Sequence, residues 1–130
     1  MEIALTTSQQ PGYLLATAVG RFGLESAKQH FLALLEVVAR ENAERVLVDV
    51  REVRGRVKIL ERLLYSEFAA DAVARLTELV AMRPPKFAYV ALAAQIDPGR
   101  LGETVARRRG MNIRAFDNAE DAVFWLLADS

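Results

Sequence analysis

Apolar and polar positions along the chain follow two different periods, and the first residues show the shorter one. Residues 3–7 alternate as an edge strand does, the turn residues Pro11 and Gly12 follow, and residues 13–19 return as a second strand. Proline presets the first central turn position and glycine supplies positive φ at the second. We therefore expect a type II turn and an antiparallel hairpin.

From Leu24 onward the apolar residues recur at intervals of three and four, which predicts an amphipathic helix with Asn42 as its left-handed cap. The continuous apolar run at 45–50 is typical of a strand covered on both faces. The basic segment 51–58 is predicted to be a loop. The expected buried side of the first helix comprises Leu24, Ala27, Phe31, Leu34, Leu35 and Val38.

A second, longer helix is predicted over residues 59–82, and Pro84 ends it because the residue before proline is pushed out of the α region. A stripe of mostly large apolar residues at helical spacing is expected to form its core face. That stripe comprises Leu60, Leu64, Phe68, Ala72, Leu76 and Leu79.

The last third of the chain predicts two more strands and two more helices. Residues 86–92 form a buried strand, and a helix follows with Asp97 as its cap, Pro98 at its first position and Gly110 beyond its end. After a strand at 112–116, Asp117 and Glu120 resemble a capping box for the final helix. The residues expected to anchor that helix are Val123, Phe124, Trp125, Leu126 and Leu127.

The element order is therefore β-β-α-β-α-β-α-β-α, which predicts an α/β fold. Three strand-helix-strand units imply a mostly parallel sheet of about five strands with right-handed crossovers and four main helices. The N-terminal hairpin places the opening strand antiparallel, at or near an edge. At 130 residues, positions 1–130 are expected to form a single domain.

Composition narrows the function classes. The 17 basic and 17 acidic residues balance, which argues against a nucleic-acid binder. Cysteine is absent, so no disulfide, thiolate zinc site or cysteine nucleophile can form, and the single histidine, His30, predicts no metal site or cofactor. The N-terminal residues do not resemble a signal peptide, and no apolar run approaches the roughly 20 residues of a membrane span. We expect a cytoplasmic protein.

Three segments carry a family resemblance. They are VLVDVREV at 46–53, KFAYVAL at 86–92 and RRRGMNIRAFDNAEDAVFWL at 107–126. In this order and spacing they resemble the SpoIIAA-like proteins of the STAS superfamily, relatives of anti-sigma-factor antagonists that are also related to lipid-binding domains of the CRAL-TRIO and Sec14 type. The resemblance spans nearly the whole chain and implies a SpoIIAA-like (STAS) domain.

One departure from that family changes the expected function. Partner-switching antagonists carry a phosphorylatable serine or threonine just after the central strand, where added charge at a helix start alters docking. Here the first hydroxyls after that strand are Tyr65 and Ser66, well inside the predicted helix. The resemblance therefore implies a non-enzymatic ligand-binding or membrane-associated role without the phosphorylation switch.

The basic segment offers a candidate anion site, because ligands usually sit at the carboxyl ends of parallel strands. Gly55 lets the backbone bend or approach a ligand closely. The cations could meet a lipid head group, a phosphate or an acidic partner, or they could be a solvated loop paired with Glu52 and Glu61. The candidate residues are Arg51, Arg54, Arg56 and Lys58.

The long second helix offers a candidate apolar site. Its wide apolar stripe either packs tightly on the sheet or turns one side toward a pocket or a dimer surface. If the helix can lift, an apolar ligand could enter beneath it. The candidate ligand-binding residues are Leu60, Leu64, Tyr65 and Phe68.

Three further features have a structural and a functional reading. Asp49 either caps the following loop through backbone N–H groups or serves as a catalytic carboxylate. Arg107 to Arg109 either complement a helix end or join the loop in a basic face for anionic membrane. His30 is expected at the rim of the buried face of the first helix, where a structural role is favoured over a catalytic one.

The sequence thus predicts a non-catalytic module for an apolar or amphiphilic, lipid-like ligand, with peripheral membrane contact. The alternative is a regulatory domain that docks on a protein partner through the same surface. A homodimer is expected through the hydrophobic edge and the second helix. An enzyme is disfavoured because the sequence shows no nucleophile motif, metal cluster or cofactor loop.

Overall fold

The computed structural model describes residues 2–96 and 99–128 and contains one five-stranded sheet in the order β1-β2-β3-β4-β5. The strands are β1 (Ala4–Gln10), β2 (Tyr13–Arg21), β3 (Arg45–Arg54), β4 (Lys86–Val90) and β5 (Asn112–Phe116). The α-helices are α1 (Leu24–Glu41), α2 (Ile59–Val80), α3 (Leu101–Arg108) and α4 (Ala119–Leu127), and a 3₁₀ turn spans Ala93–Gln95.

The sheet confirms the predicted fold class. Strand β1 lies at an edge, antiparallel to β2, and the other neighbouring strands are parallel. The hairpin connects Gln10 to Tyr13 through two residues, and Gly12 has a φ of 87°, as expected for a turn that uses glycine. Asn42 caps α1 in the left-handed region at a φ of 52°, which confirms its predicted role.

The crossover helices α1, α2 and α3 share one face of the sheet. Successive parallel strands connected with the same hand bring their helices to the same side. The main core lies under these helices and includes Leu14, Val46 and Phe87. On the opposite face α4 packs through Ala122 and Leu126.

Strand β3 is longer than predicted. It continues to Arg54 instead of ending at residue 50, so residues 51–54 belong to the strand and not to a loop. The reason is tertiary: β2 offers backbone partners as far as Arg21, which pairs with Arg54. The ladder contains a bulge, because Thr17 pairs with Asp49 whereas Val19 pairs with Glu52.

The prediction of which face of α2 is buried is wrong, because the helix is rotated about its axis. Leu60, Leu64 and Leu79 are 64%, 38% and 81% exposed, whereas Phe68, Ala72 and Leu76 are partly buried against the core. The fully buried face is made of smaller residues, namely Ser66, Ala69, Ala70 and Val73.

Close approach between α2 and α3 explains this rotation. A Cβ atom on Gly102 of α3 would lie 2.8 Å from Ser66 Oγ of α2, inside normal van der Waals contact. Only small side chains on both helices permit this separation, so α2 turns its small-residue face inward and its leucines outward.

The last two helices also differ from the prediction at their N-terminal ends. Helix α3 begins at Leu101, and the predicted cap and first helical residue, Asp97 and Pro98, lie outside the described residues. Helix α4 is capped by Asn118, not Asp117, because the Asn118 side-chain oxygen accepts the backbone N–H of Asp121 at 2.8 Å.

The predicted anchoring of α4 is only partly correct. Leu126 is buried, and Val123 and Trp125 pack partly buried against it, but Phe124 is 81% exposed and Leu127 is also exposed. At the end of α4, Lys86 Nζ donates to the carbonyl oxygen of Ala128 at 3.1 Å and lies 4.3 Å from the Trp125 ring centroid. This lysine complements the negative end of the helix.

Gly20 and Gly110 allow a matched test of the packing around the hairpin. Both have positive φ, 133° and 94°. A Cβ at Gly20 would lie 2.3 Å from the backbone oxygen of Glu2, whereas a Cβ at Gly110 would meet nothing within 4 Å. We expect Gly110→Ala to lower the free energy of unfolding by about 1 kcal/mol and Gly20→Ala by roughly 3 kcal/mol.

Urea denaturation of both variants measures the difference. Because Gly110→Ala carries only the backbone cost, the excess for Gly20→Ala reports the clash with the Glu2 carbonyl. Equal losses in the two variants would contradict the observed approach of residue 2 to β2.

Candidate functional site

A cavity of about 530 Å³ lies between the sheet and the helices α1, α2 and α3. Its volume falls within the range of pockets that hold drug-sized molecules. Most of the lining is apolar and comes from the sheet and from the helices that cover it. It includes Leu5, Phe22, Phe31, Val48 and Val50.

Charged residues of the cavity wall come from elements near the carboxyl edge of the parallel strands. Arg56, Arg62 and Arg100 line it, and Glu103 is the one carboxylate among the described lining residues. Arg62 Nη1 donates to the Gln95 carbonyl oxygen at 2.9 Å, and Arg100 forms an ion pair with Glu103 at 3.2 Å. Arg56 makes no hydrogen bond or ion pair with any described residue. Among the described residues of this part of the wall, positive charges outnumber negative ones.

Gln95 fastens the rim of the cavity. Only residues 45–49 of β3 pair with β4, so the rest of β3 extends beyond its neighbour. Gln95 Nε2 donates to the carbonyl oxygens of Val50 at 3.1 Å and Val53 at 2.9 Å, while its Oε1 accepts the Leu92 N–H at 2.6 Å. One side chain thus satisfies two backbone groups that the sheet leaves unpaired.

Two tyrosines place hydroxyl groups in the mostly apolar wall of the cavity. Tyr65 Oη of α2 lies 2.9 Å from Tyr89 Oη of β4, and both residues line the cavity. Burial raises the pKa of Tyr65 to about 12, against the hydrogen bond from Tyr89, and burial also raises the pKa of Tyr89 well above its ordinary value. Both hydroxyls are therefore neutral at physiological pH.

The structure separates the four predicted ligand-binding residues. Tyr65 lines the cavity, but Leu60, Leu64 and Phe68 do not. Leu60 and Leu64 are exposed on the outer side of α2, and Phe68 packs at the edge of the core with Lys28 Nζ 5.4 Å from its ring centroid. A role for these three in binding stays a prediction, and the cavity gives it no geometric support.

The four predicted cations are also dispersed. Arg56 lines the cavity, whereas Arg54 is the exposed last residue of β3 and Lys58 precedes α2 as its N-cap. The Lys58 backbone N–H donates to Glu61 Oε1 at 2.9 Å. Anion or partner binding by all four together stays a prediction.

Arg51 forms an ion pair with Asp49 on the other face of the sheet. Asp49 alternates with Val48 and Val50, which line the cavity, so its side chain projects away from it. Arg51 Nη2 lies 2.9 Å from Asp49 Oδ2, and this hydrogen bond holds the pKa of Asp49 below its ordinary value. Asp49 also accepts the Arg51 backbone N–H at 3.1 Å, in agreement with its predicted capping role.

Of the remaining candidates, Arg109 and His30 contact other residues of the fold. Arg109 forms ion pairs with Glu67 and Asp71 of α2 at 3.2 and 3.1 Å, whereas Arg107 and Arg108 are exposed. His30 lines the cavity, and its Nδ1 lies 2.7 Å from the Ser26 carbonyl oxygen and 3.4 Å from Ser26 Oγ. An Nδ1 that donates to this carbonyl cannot accept the Ser26 hydroxyl proton, so the pair is not a nucleophile with its base.

Sequence reasoning missed Arg62, Tyr89, Gln95 and Arg100. Arg62 and Tyr65 lie on the same side of α2 as its small buried residues. The helical spacing of Ser66, Ala69 and Val73 was therefore the signal that could have placed Arg62 on the inner side of the helix. Tyr89 alternates with buried Ala88 and Val90, which indicates that it faces the other layer. No sequence signal brings Gln95 or Arg100 to the cavity, because their positions depend on the irregular connection after β4.

Two site classes find no support in residues 2–96 and 99–128. No three histidine, aspartate or glutamate side chains in these ranges converge as metal ligands. None of the helices in the same part of the chain has the length and hydropathy needed to cross a bilayer.

Comparison with solved structures identifies the fold. An uncharacterised DUF3478-family protein with a SpoIIAA-like fold from Shewanella loihica PV-4 is 20% identical, with a TM-score of 0.54. An anti-sigma factor antagonist from Mycobacterium paratuberculosis is 12% identical, with a TM-score of 0.58. Each comparison covers 96% of this chain and 94% of the other. The chain therefore has a SpoIIAA-like α/β fold.

The sequence comparisons give no closer relative. No protein-family profile matches the chain, and no curated protein matches it. The relation to CRAL-TRIO and Sec14-type domains that the resemblance implied stays a prediction, since neither solved structure bears on it.

The tyrosine pair predicts a loss of stability in alkali. A phenol whose pKa is raised by folding keeps its proton while the unfolded chain ionises, so the free energy of unfolding falls as pH rises from about 10 toward 12. The loss reaches at most about 1.4 kcal/mol per pH unit for each tyrosine. We expect the Tyr65→Phe/Tyr89→Phe double variant to show a flatter dependence in urea denaturation over this interval.

Tyr13→Phe provides the matched control, because Tyr13 packs on the α4 side of the sheet and away from the cavity. Lysine and arginine titration is common to all three proteins and cancels in the comparison. The same slope in the wild type and the double variant would show that the pair is not buried as described.

Proposed function

We propose that this protein is a non-catalytic binding module that holds one amphiphilic small molecule, with the apolar body in the cavity and an anionic head against the arginines. The observation that carries the proposal is the largely apolar cavity of about 530 Å³ with three arginines in its wall. Both halves of an amphiphile would find complementary surface there.

The apolar part of the wall supplies affinity. Burial of apolar surface contributes about 25 cal/mol per Å², so an acyl chain that leaves water for this cavity gains free energy over much of its length. The cavity wall draws on the sheet and on all three helices of that face, so a single ligand would contact residues from every element around it.

The arginines supply selectivity for the head group. Three arginines line the cavity, whereas Glu103 is the one acidic residue among its described lining, and Arg56 has no partner among the described residues. A carboxylate or phosphate placed there would form charge-assisted hydrogen bonds that a neutral head cannot match. His30 and Ser26 do not form a nucleophile with its base, which supports binding over catalysis.

Native mass spectrometry of protein purified from cells, followed by extraction with organic solvent, tests whether a ligand is present. A reproducible added mass that extraction removes would identify an amphiphile. A protein that carries no such mass and takes up no dodecanoate would overturn the proposed function.

Substitutions of Arg56 and Arg54 provide a matched test of head-group binding. They lie two positions apart, and Arg56 lines the cavity whereas Arg54 does not. We expect Arg56→Gln to weaken dodecanoate binding by about tenfold, the scale of one charge-assisted hydrogen bond, and Arg54→Gln to change it by less than about twofold. Isothermal titration calorimetry measures both.

Dodecanol serves as the uncharged ligand in the same titrations. Its affinity should be the same in both variants, because it presents no anionic head. Equal weakening of dodecanoate by the two substitutions would indicate a diffuse effect of surface charge and would contradict a head-group site at Arg56.

A second candidate function is protein docking, and exposed apolar residues at the start of α2 favour it. Ile59 and Leu60 are 65% and 64% exposed, and Leu92 after β4 is 51% exposed at the same edge of the sheet. The anti-sigma factor antagonist with this fold supports a regulatory role. The segment 55–58 contains no serine or threonine, so docking here would not use a hydroxyl switch in that segment.

A photo-crosslinking amino acid at position 60 tests this candidate, with position 79 as the control because Leu79 is also exposed, at the far end of the same helix. A partner that docks at the start of α2 should give one adduct of defined mass from position 60 and none from position 79. Identical adducts from both positions, or none, would contradict docking at this surface. An adduct of twice the chain mass would identify the predicted homodimer.

Peripheral membrane contact remains a prediction of the sequence. The basic residues proposed for it are divided between the cavity wall at Arg56 and the exposed end of α3 at Arg107 and Arg108.

A further inference from the structure

The hydroxyl pair of Tyr65 and Tyr89 is unusual because it is polar, lies in an apolar wall and is incompletely hydrogen-bonded. The two oxygens are 2.9 Å apart, and both residues line the cavity. Phe31 approaches the Tyr65 ring edge-on, with centroids 6.0 Å apart. Among the described residues neither hydroxyl has a second hydrogen-bond partner.

A count of donors and acceptors shows what the pair can still bind. Each tyrosine hydroxyl carries one proton and two lone pairs. The bond between them uses one proton and one lone pair, so one O–H donor and three lone pairs remain. This donor borders a largely apolar cavity and is available to a ligand oxygen that accepts its proton.

We propose that the Tyr65 and Tyr89 hydroxyl pair recognises a neutral oxygen in the body of the ligand, such as a hydroxyl or carbonyl group, in addition to the anionic head at the arginines. This inference rests on the proposed function, since it describes a second contact of the same ligand in the same cavity. The ligand class becomes an oxygenated amphiphilic acid and not a plain alkyl acid.

Charge supports a neutral group at this position. Burial raises the pKa of both tyrosines, so they remain hydroxyl donors at physiological pH and do not become phenolates. The arginines in the wall provide the complementary charge for an anion, whereas the only hydrogen bond of the hydroxyl pair among the described residues is the one between the two tyrosines. A neutral hydroxyl pair suits a neutral oxygen, and the arginines suit the anionic head.

The two contacts lie about one turn apart on the same helix. Arg62 and Tyr65 are three residues apart on α2, which corresponds to a rise of about 4.5 Å along the axis. A head group near Arg62 and an oxygen near Tyr65 are therefore separated by only a few bonds. The neutral oxygen is expected on a carbon close to the head and not at the far end of the chain.

Titration calorimetry with dodecanoate and its hydroxylated derivatives tests this inference. The panel carries the hydroxyl on the β, γ, δ or ω carbon. We expect at least one of the β, γ and δ isomers to bind about fivefold more tightly than dodecanoate, the scale of one buried hydrogen bond, and the ω isomer to show no such gain.

Tyrosine variants locate the gain. The Tyr65→Phe/Tyr89→Phe double variant removes both hydroxyls with little change in shape and should abolish the preference for the hydroxylated isomer. Tyr13→Phe on the opposite side of the sheet should leave the preference unchanged.

The outcomes separate the two proposals. If dodecanoate binds and no internal hydroxyl adds affinity, or if the gain persists in the double variant, the inference is overturned and the proposed function stands. If neither dodecanoate nor any hydroxylated acid binds, both are overturned.

Discussion

The close contact between α2 and α3 determines how the rest of this face of the protein is arranged. Gly102 lies so near Ser66 that a Cβ atom there would come within 2.8 Å of Ser66 Oγ, and Ala69 and Ala70 continue the same small-residue face. This contact fixes the rotation of α2 about its own axis. The rotation directs Arg62 and Tyr65 into the cavity and turns Leu60 and Leu64 toward solvent.

The sequence predicts the architecture well because the architecture depends on local signals. Turn residues at Pro11 and Gly12, the left-handed cap at Asn42 and the change from one apolar period to the other are all readable from neighbouring residues. The parallel order of the strands then follows from the hand of the crossovers. These features required no knowledge of which helix touches which.

The candidate site is less predictable because it depends on contacts between elements. A stripe of large apolar residues on α2 suggests a core face, yet the neighbouring helix selects the small-residue face instead. The extension of β3 to Arg54 likewise depends on the length of β2, not on its own charged sequence. Of the eight residues proposed from the sequence, Tyr65 and Arg56 line the cavity, and the partners that complete it lie on elements whose positions the sequence does not reveal.

The comparison with solved structures sets the cavity in context. Two proteins that share 12% and 20% of their residues with this chain have its fold, so the sheet and its helices tolerate extensive substitution. At the carboxyl edge of the sheet, residues 55–58 of this chain carry cations and no serine or threonine. Function on such a scaffold is decided by the residues at this edge and not by the fold itself.

The bridge that Gln95 makes to the end of β3 has a mechanical consequence. Past residue 49 the strand has no neighbour on the β4 side, and its carbonyl groups are held there by a single side-chain amide. Water can replace that amide without breaking any hydrogen bond between strands. The rim of the cavity therefore depends on one side-chain amide, whereas its floor is held by the hydrogen bonds between strands.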